Sequence, residues 1–217
     1  MSRLYNEEHR AFQDEFETRT LADVVENIIL QDEFTDKDKT FIESRDMFFL
    51  STVDHLGRPS VSYKGGEKGF IKIIDKNILV FPSYDGNGMF LSMGNIKTRS
   101  KIGLLFIDFE NPHRLRAYGE ATVSADNPLL DQYEEAQLLV TVKITELWRN
   151  CPRYVHKYQK VETSKYVPQT DHETPLPDWK KLDKIQGILP SKDQGKAEQQ
   201  GGTITIEELQ ELERRED

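Results

Sequence analysis

Seven short apolar runs between residues 47 and 144 constrain the fold more than any other feature of this sequence. The runs lie close together and are joined by short turns such as Asp54-His55-Leu56-Gly57 and Glu110-Asn111-Pro112. This spacing is typical of antiparallel barrels and sandwiches, and strands and helices do not alternate as they do in a Rossmann-type sheet. The predicted strands are 47–53, 60–64, 70–74, 78–81, 102–109, 114–123 and 138–144.

Helical periodicity appears at the amino-terminal end. Five apolar side chains fall at i, i+3, i+4, i+7 and i+8, which predicts one continuous helix face; they are Leu21, Val24, Val25, Ile28 and Ile29. Residues 5–18 predict an earlier helix, and Thr35 followed by Asp38 predicts the start of a later one.

Shorter helices are predicted between and after the strands. Residues 89–93 predict a helix with Asn87 as its N-cap and Gly94 as its C-terminal stop, and 127–135 predict another. We therefore divide the chain into four parts. They are a helical segment 1–46 packing on the barrel, a barrel at 47–165, a surface-wrapping tail at 166–192, and a flexible linker with an acidic helix at 193–217.

The net charge of −9 over 217 residues is concentrated at the two ends. Residues 1–46 carry 6 basic and 13 acidic side chains and residues 191–217 carry 4 and 8, whereas residues 47–190 have a net charge of +2. A slightly cationic body suits an anionic small molecule, but a nucleic-acid binder needs a strongly basic face. No run of 18 apolar residues occurs and residues 1–8 lack an apolar signal stretch, so we expect a cytoplasmic protein without a membrane segment.

Catalytic and metal-binding motifs are absent from the sequence. The five histidines have no ligand spacing and Cys151 is the only cysteine, so we expect no metal site. No nucleophile elbow, Walker loop or dinucleotide fingerprint occurs, and the catalytic residues therefore stay unknown.

Two segments carry side chains suited to binding an anion. Ser60, Ser62 and Lys64 share one face of a predicted strand. The segment 83–89 runs from a strand end through a glycine-containing loop to a helix start, where backbone N–H groups favour negative charge. Taken alone, each feature also fits an exposed polar strand or an ordinary capped helix. Basic side chains follow at Lys97, Arg99, Lys101, Arg114 and Arg116.

In chain order these pieces resemble the pyridoxamine 5'-phosphate oxidase-like FMN-binding split barrels. The resemblance covers roughly residues 40–160 and is carried by segments 48–54, 57–62, 85–90, 94–96, 102–108 and 114–121. Residues 150–154, Asn-Cys-Pro-Arg-Tyr, are similar to a motif of an uncharacterised FMN-dependent subgroup. The implied fold class is mainly β, an antiparallel split β-barrel with peripheral α-helices.

The resemblance implies a homodimer that holds FMN in clefts between its subunits. The positions that match the family's cofactor-binding residues are Ser62, Lys64, Ser83 and Asn87, with Met89 nearby. Candidates for closing the pocket from the partner subunit are Arg116, Trp148 and Arg153.

Two departures from the oxidase pattern weaken the expectation of vitamin B6 oxidation. Asn87-Gly88-Met89 stands where the oxidase has a basic pair, which leaves Lys64, Arg99 or Arg116 to supply the charge. The carboxy-terminal segment with the oxidase's substrate arginine and histidine is not recognisable either. We therefore predict an FMN-dependent oxidoreductase that uses a small-molecule substrate or electron donor. The alternatives are a flavin carrier or sensor without turnover, and a dimer that binds haem or a deazaflavin.

Overall fold

The computed structural model describes residues 2–169 and 173–216, and the chain divides into two compact units, Met1–Val161 and Glu162–Asp217. The first unit contains α1 (Glu7–Glu15), α2 (Arg19–Ile29), α3 (Asp36–Glu43), β1 (Met47–Val53), β2 (Pro59–Gly65), β3 (Lys72–Asp75), β4 (Ile78–Ser83), α4 (Leu91–Thr98), β5 (Lys101–Asp108), β6 (His113–Ser124) and β7 (Leu138–Asn150). The second contains α5 (Lys196–Gln199) and α6 (Ile206–Glu216).

All seven strands form one antiparallel sheet in the order β2-β1-β5-β6-β7-β4-β3. This confirms the predicted strands and the mainly β fold class. A bulge at Tyr118 and Gly119 shifts the register between β6 and β7, and bulges of this kind increase the bend of a sheet.

The sheet curls round an apolar core. Strands lie about 4.8 Å apart, so in a flat sheet β1 and β4 would be separated by roughly 19 Å. The rings of Phe48 on β1 and Phe81 on β4 are nevertheless only 4.9 Å apart, and both side chains are fully buried. The curvature therefore brings distant strands together round these rings.

The helix after β4 differs from its prediction. Gly94 does not end the helix, which continues to Thr98 because Met93 and Ile96 are buried against the barrel. The N-cap is Phe90 in a left-handed conformation (φ 47°), not Asn87. Of the helix predicted at 127–135, only a 3-10 turn at Leu130–Gln132 forms.

The amino-terminal segment packs unevenly. In α3, Ile42 is fully buried in the barrel core. Among the described side chains, α1 buries none and α2 buries only Glu26. Packing on the barrel is therefore carried by α3, and the α1–α2 hairpin is attached mainly through polar contacts near Arg3 and Gln31.

The second unit has its own small interior. Lys180 and Asp193 form a buried ion pair with an Nζ–Oδ2 distance of 2.7 Å. The stretch predicted as a flexible linker contains α5, whose Ala197 is buried. The structure thus places a change of unit after Val161, while the predicted boundaries at 46, 165 and 192 stay predictions. Within residues 2–169 and 173–216, no helix is both long and apolar enough to cross a membrane.

Candidate functional site

Strand β2 has its polar face turned inward. Register pairing with β1 puts Lys64 opposite Phe48 and Ser62 opposite Leu50, so these side chains share the core-facing side of the sheet. Val61 and Tyr63 point the other way and are 68% and 62% exposed. This reverses the usual arrangement, in which the apolar face of a strand is buried.

Helix α4 lies against this inward polar face. The Oγ atoms of Ser62 and Ser92 are 2.6 Å apart, and Asn95 Nδ2 donates to Thr52 Oγ1 at 3.0 Å. Thr52 is paired with Ser60, so the helix runs antiparallel to β2, with its first turn beside Ser62. Lys64 comes next along the strand, beyond the helix N-terminus.

Lys64 is a half-buried cation without a counter-charge. Its ammonium group makes no hydrogen bond or ion pair with any residue in the described ranges 2–169 and 173–216. Burial lowers the pKa of Lys64 because desolvation disfavours the charged form. An unpaired, partly desolvated cation beside a helix N-terminus suits an anion such as a phosphate.

The end of β4 reaches the same region. Phe81 contacts Phe48, the residue paired with Lys64, and half-buried Ser83 follows two positions later. Burial, followed by the charges of Glu67 and Glu135, raises the pKa of Tyr84 to about 12. Phe70, a few residues after β2, contacts the same Phe48 ring as Phe81, so the segment after β2 and the end of β4 meet at this ring cluster.

The loop before α4 is exposed and partly apolar. Asn87 Oδ1 accepts a hydrogen bond from the Met89 N–H at 3.1 Å, which closes a turn and not a helix cap. Met89, Phe90 and Leu91 are all exposed at the start of α4. They offer an apolar surface next to Ser92, which contacts the inward polar face of β2.

The other predicted site residues lie elsewhere in the protomer. Arg99 is at the carboxy-terminal end of α4, about 12 Å along the helix axis from its start. Arg116 is paired with Trp148 on the outer face of β6 and β7, and Trp148 is buried against Tyr118 with ring centroids 5.0 Å apart. Arg153 follows β7 and is exposed, with its guanidinium 6.0 Å from the Tyr154 ring. One protomer thus places Ser62 and Lys64 on the inward face of β2, whereas Arg99 lies at the far end of α4 and Arg116 on the outer sheet face.

Sequence reasoning missed Ser92, Asn95 and Tyr84. Ser92 and Asn95 are buried polar residues on the same helix face as the apolar Met93 and Ile96. Polar residues on an otherwise apolar helix face are the sequence signal that could have identified them. Tyr84 lies inside the loop 83–89 that the sequence indicated, but its partial burial depends on the curvature of the sheet. The described part of the chain holds no group of three or more His, Cys, Asp or Glu side chains arranged for a metal ion.

Comparison with known families identifies the family of this chain. The sequence model described as Pyridoxamine 5'-phosphate oxidase matches residues 34–147, from just before α3 into β7. The chain belongs to the pyridoxamine 5'-phosphate oxidase family. The match does not include α1, α2 or any of the second unit. A comparison with curated proteins finds no match.

Solved structures with similar folds share little sequence identity with this chain. An FMN-binding protein from Syntrophomonas wolfei subsp. wolfei is 13% identical over 64% of this chain and 97% of its own, with a TM-score of 0.44. HupZ of Group A Streptococcus is 15% identical over 58% and 99%, with a TM-score of 0.45. HutZ, the heme storage protein from Vibrio cholerae, is 16% identical over 54% and 94%, with a TM-score of 0.38. Likeness at this level says nothing about the ligand of this chain.

Proposed function

We propose that this protein is an FMN-binding flavoprotein that acts as an oxidoreductase and holds its cofactor in a homodimer. The observation that carries the proposal is the half-buried Lys64 ammonium, which has no counter-charge among the described residues. Burying a cation without a partner costs stability, and a dianionic phosphate removes that cost. Membership of the pyridoxamine 5'-phosphate oxidase family supports the same assignment.

Different residues of the site would contact different parts of FMN. Lys64 would pair with the phosphate, and the free N–H groups at the start of α4 would face it. The contact between Ser62 and Ser92 holds the helix start in place against β2. Met89 and Phe90 would cover apolar ring surface, and when bound the flavin supplies the hydride and electron chemistry.

The outer face of the sheet supports a homodimer. Val61, Tyr63 and Tyr118 are large apolar side chains that point outward and are exposed. Arg116 lies beside them and has no ion pair with any residue described in the structure. A second subunit on this face would cover the apolar side chains and bring Arg116, Trp148 and Arg153 toward a neighbouring pocket.

A purified sample tests the proposal directly. The absorption spectrum of the protein and of its heat-released chromophore distinguishes FMN from a deazaflavin and from haem. We expect FMN, reduction by a nicotinamide cofactor and reoxidation by an acceptor. A protein that binds FMN but is not reduced would be a carrier or sensor, and one that neither contains nor binds FMN would contradict the proposal.

A further inference from the structure

Helix α2 buries the charged residue Glu26 and exposes most of its apolar stripe, which runs from Leu21 to Ile29. Its one buried residue is Glu26, whose Oε1 accepts hydrogen bonds from Ser2 Oγ at 3.0 Å and from the Arg3 N–H at 2.7 Å. The opposite face carries the apolar stripe, where Leu21 is 62% and Ile28 72% exposed. Such a stripe normally faces a protein core.

Helix α1 does not cover this stripe either. The two helices meet through ion pairs, Arg10 with Asp23 at 2.7 Å and Arg19 with Asp14. Because successive residues turn about 100° round a helix, Phe12 lies about 200° from Arg10. Phe12 and Phe16 are accordingly 65% and 67% exposed. The α1–α2 arm, residues 7–29, therefore has a polar seam between its helices and apolar surfaces on its outside.

The arm leaves the barrel at the border of the outer sheet face. Arg3 contacts Glu146 at 3.0 Å, and Gln31 forms a bridge with Leu147, both on β7. Glu146 is paired with Tyr118, an exposed residue of that outer face. The apolar surface of the arm thus begins where the proposed dimer face ends.

The outer face offers few large apolar side chains for a stable dimer. Stable interfaces bury about 800 Å² per partner, and one aromatic side chain supplies about 150–250 Å². Among the described residues of β1, β2, β5 and β6, the exposed large apolar side chains are Val61, Tyr63 and Tyr118. The arm offers six more, which are Phe12, Phe16, Leu21, Val24, Val25 and Ile28.

Charge also matches the arm to that face. Residues 2–29 carry 7 acidic and 3 basic side chains. On β6, Arg114 and Arg116 have no ion pair with a described residue. An acidic arm placed across β6 of another copy would supply the missing carboxylates.

We propose that the α1–α2 arm clasps a second copy of this chain, with the α2 stripe packed on the outer sheet face of the partner subunit. This inference rests on the proposed homodimer and adds an element outside the family's matched region. A photo-crosslinking residue, benzoylphenylalanine, at Ile28 tests it, and the same residue at Ile188 is the control because that side chain is 80% exposed in the second unit. A mixture of ¹⁴N- and ¹⁵N-labelled protein shows which crosslinks join two copies.

The arm variant should give a covalent dimer of twice 25.2 kDa with crosslinks to β2, β5 or β6 of the other copy, and the control should not. L21Q/I28Q should weaken dimerisation at least tenfold, while I188Q leaves it unchanged. Dimeric mass without arm crosslinks, or with crosslinks only inside one copy, would overturn the clasp and leave the flavin proposal standing. Arm crosslinks between copies that bind no flavin would support the clasp and contradict the proposed function.

Discussion

Lys64 is the register partner of Phe48, so a charged side chain and a fully buried phenyl ring leave neighbouring strands on the same side of the sheet. Phe48 also contacts Phe70, Phe81 and Phe106. The ring cluster that closes the barrel therefore forms the floor beneath the proposed phosphate site.

Phe48→Ala should lower the free energy of unfolding by about 3–5 kcal/mol, because it removes a buried ring and leaves a cavity. Urea denaturation at one protein concentration measures the effect. Tyr154→Ala is the control, since that side chain is 78% exposed. Equal, small effects of the two changes would contradict the closed arrangement of β1 and β4.

The strands were predictable because alternation and turn residues act over a few neighbouring positions. The end of α4 was not predictable, because it is decided by the burial of its residues Met93 and Ile96 against strands that are distant in sequence. Glycine's weak helix propensity at Gly94 is overcome by that packing.

Gly94→Ala tests the corrected helix end. Gly94 lies inside α4 without a positive φ, and an added Cβ would meet nothing within 4 Å. The change should raise stability by about 0.5–1 kcal/mol, as alanine does in an exposed helix interior. Gly88→Ala is the contrasting variant and should destabilise, because Gly88 has φ +78°. A loss of stability in Gly94→Ala would indicate that the helix ends at Gly94, as the sequence predicts.

Asp54 makes the β1–β2 hairpin sensitive to acid. Hydrogen bonds from the Arg58 backbone N–H at 2.9 Å and side-chain Nε at 2.7 Å help to lower the pKa of Asp54. A carboxyl group with a lowered folded-state pKa stabilises the fold above its unfolded value of about 3.9, and this contribution is lost as the pH falls through the folded-state value.

Asp54→Asn should therefore lower the urea midpoint at neutral pH, and the difference from the natural protein should fade as the pH falls from the unfolded value of about 3.9 through the lower folded-state pKa of Asp54. Asp126→Asn changes an exposed carboxylate that has no ion pair with a described residue, and it should leave the midpoint nearly unchanged. A difference for Asp54→Asn that persists unchanged in acid would show that its charge does not stabilise the hairpin.

The candidate site was only partly predictable from sequence. Alternation put Ser62 and Lys64 on one face, but only the register with β1 shows that this face points inward. The separation of Arg99 and Arg116 from Lys64 follows from the helix direction and the outer face of β6, which local sequence does not encode. The homodimer, its pocket-closing residues and FMN itself stay predictions.

Binding of FMN and riboflavin to the apo-protein and to Lys64→Met tests most directly whether Lys64 binds the phosphate of FMN. A charge-assisted contact contributes about 1.5–3 kcal/mol, so FMN should weaken roughly 10- to 100-fold at 1.4 kcal/mol per decade. Riboflavin, which lacks the phosphate, should change less than about threefold, and apo-protein stability should hold or rise because a buried unpaired charge is gone. Lys143→Met, at an exposed position of β7, should leave both affinities unchanged. Equal weakening of FMN and riboflavin in Lys64→Met would contradict the account.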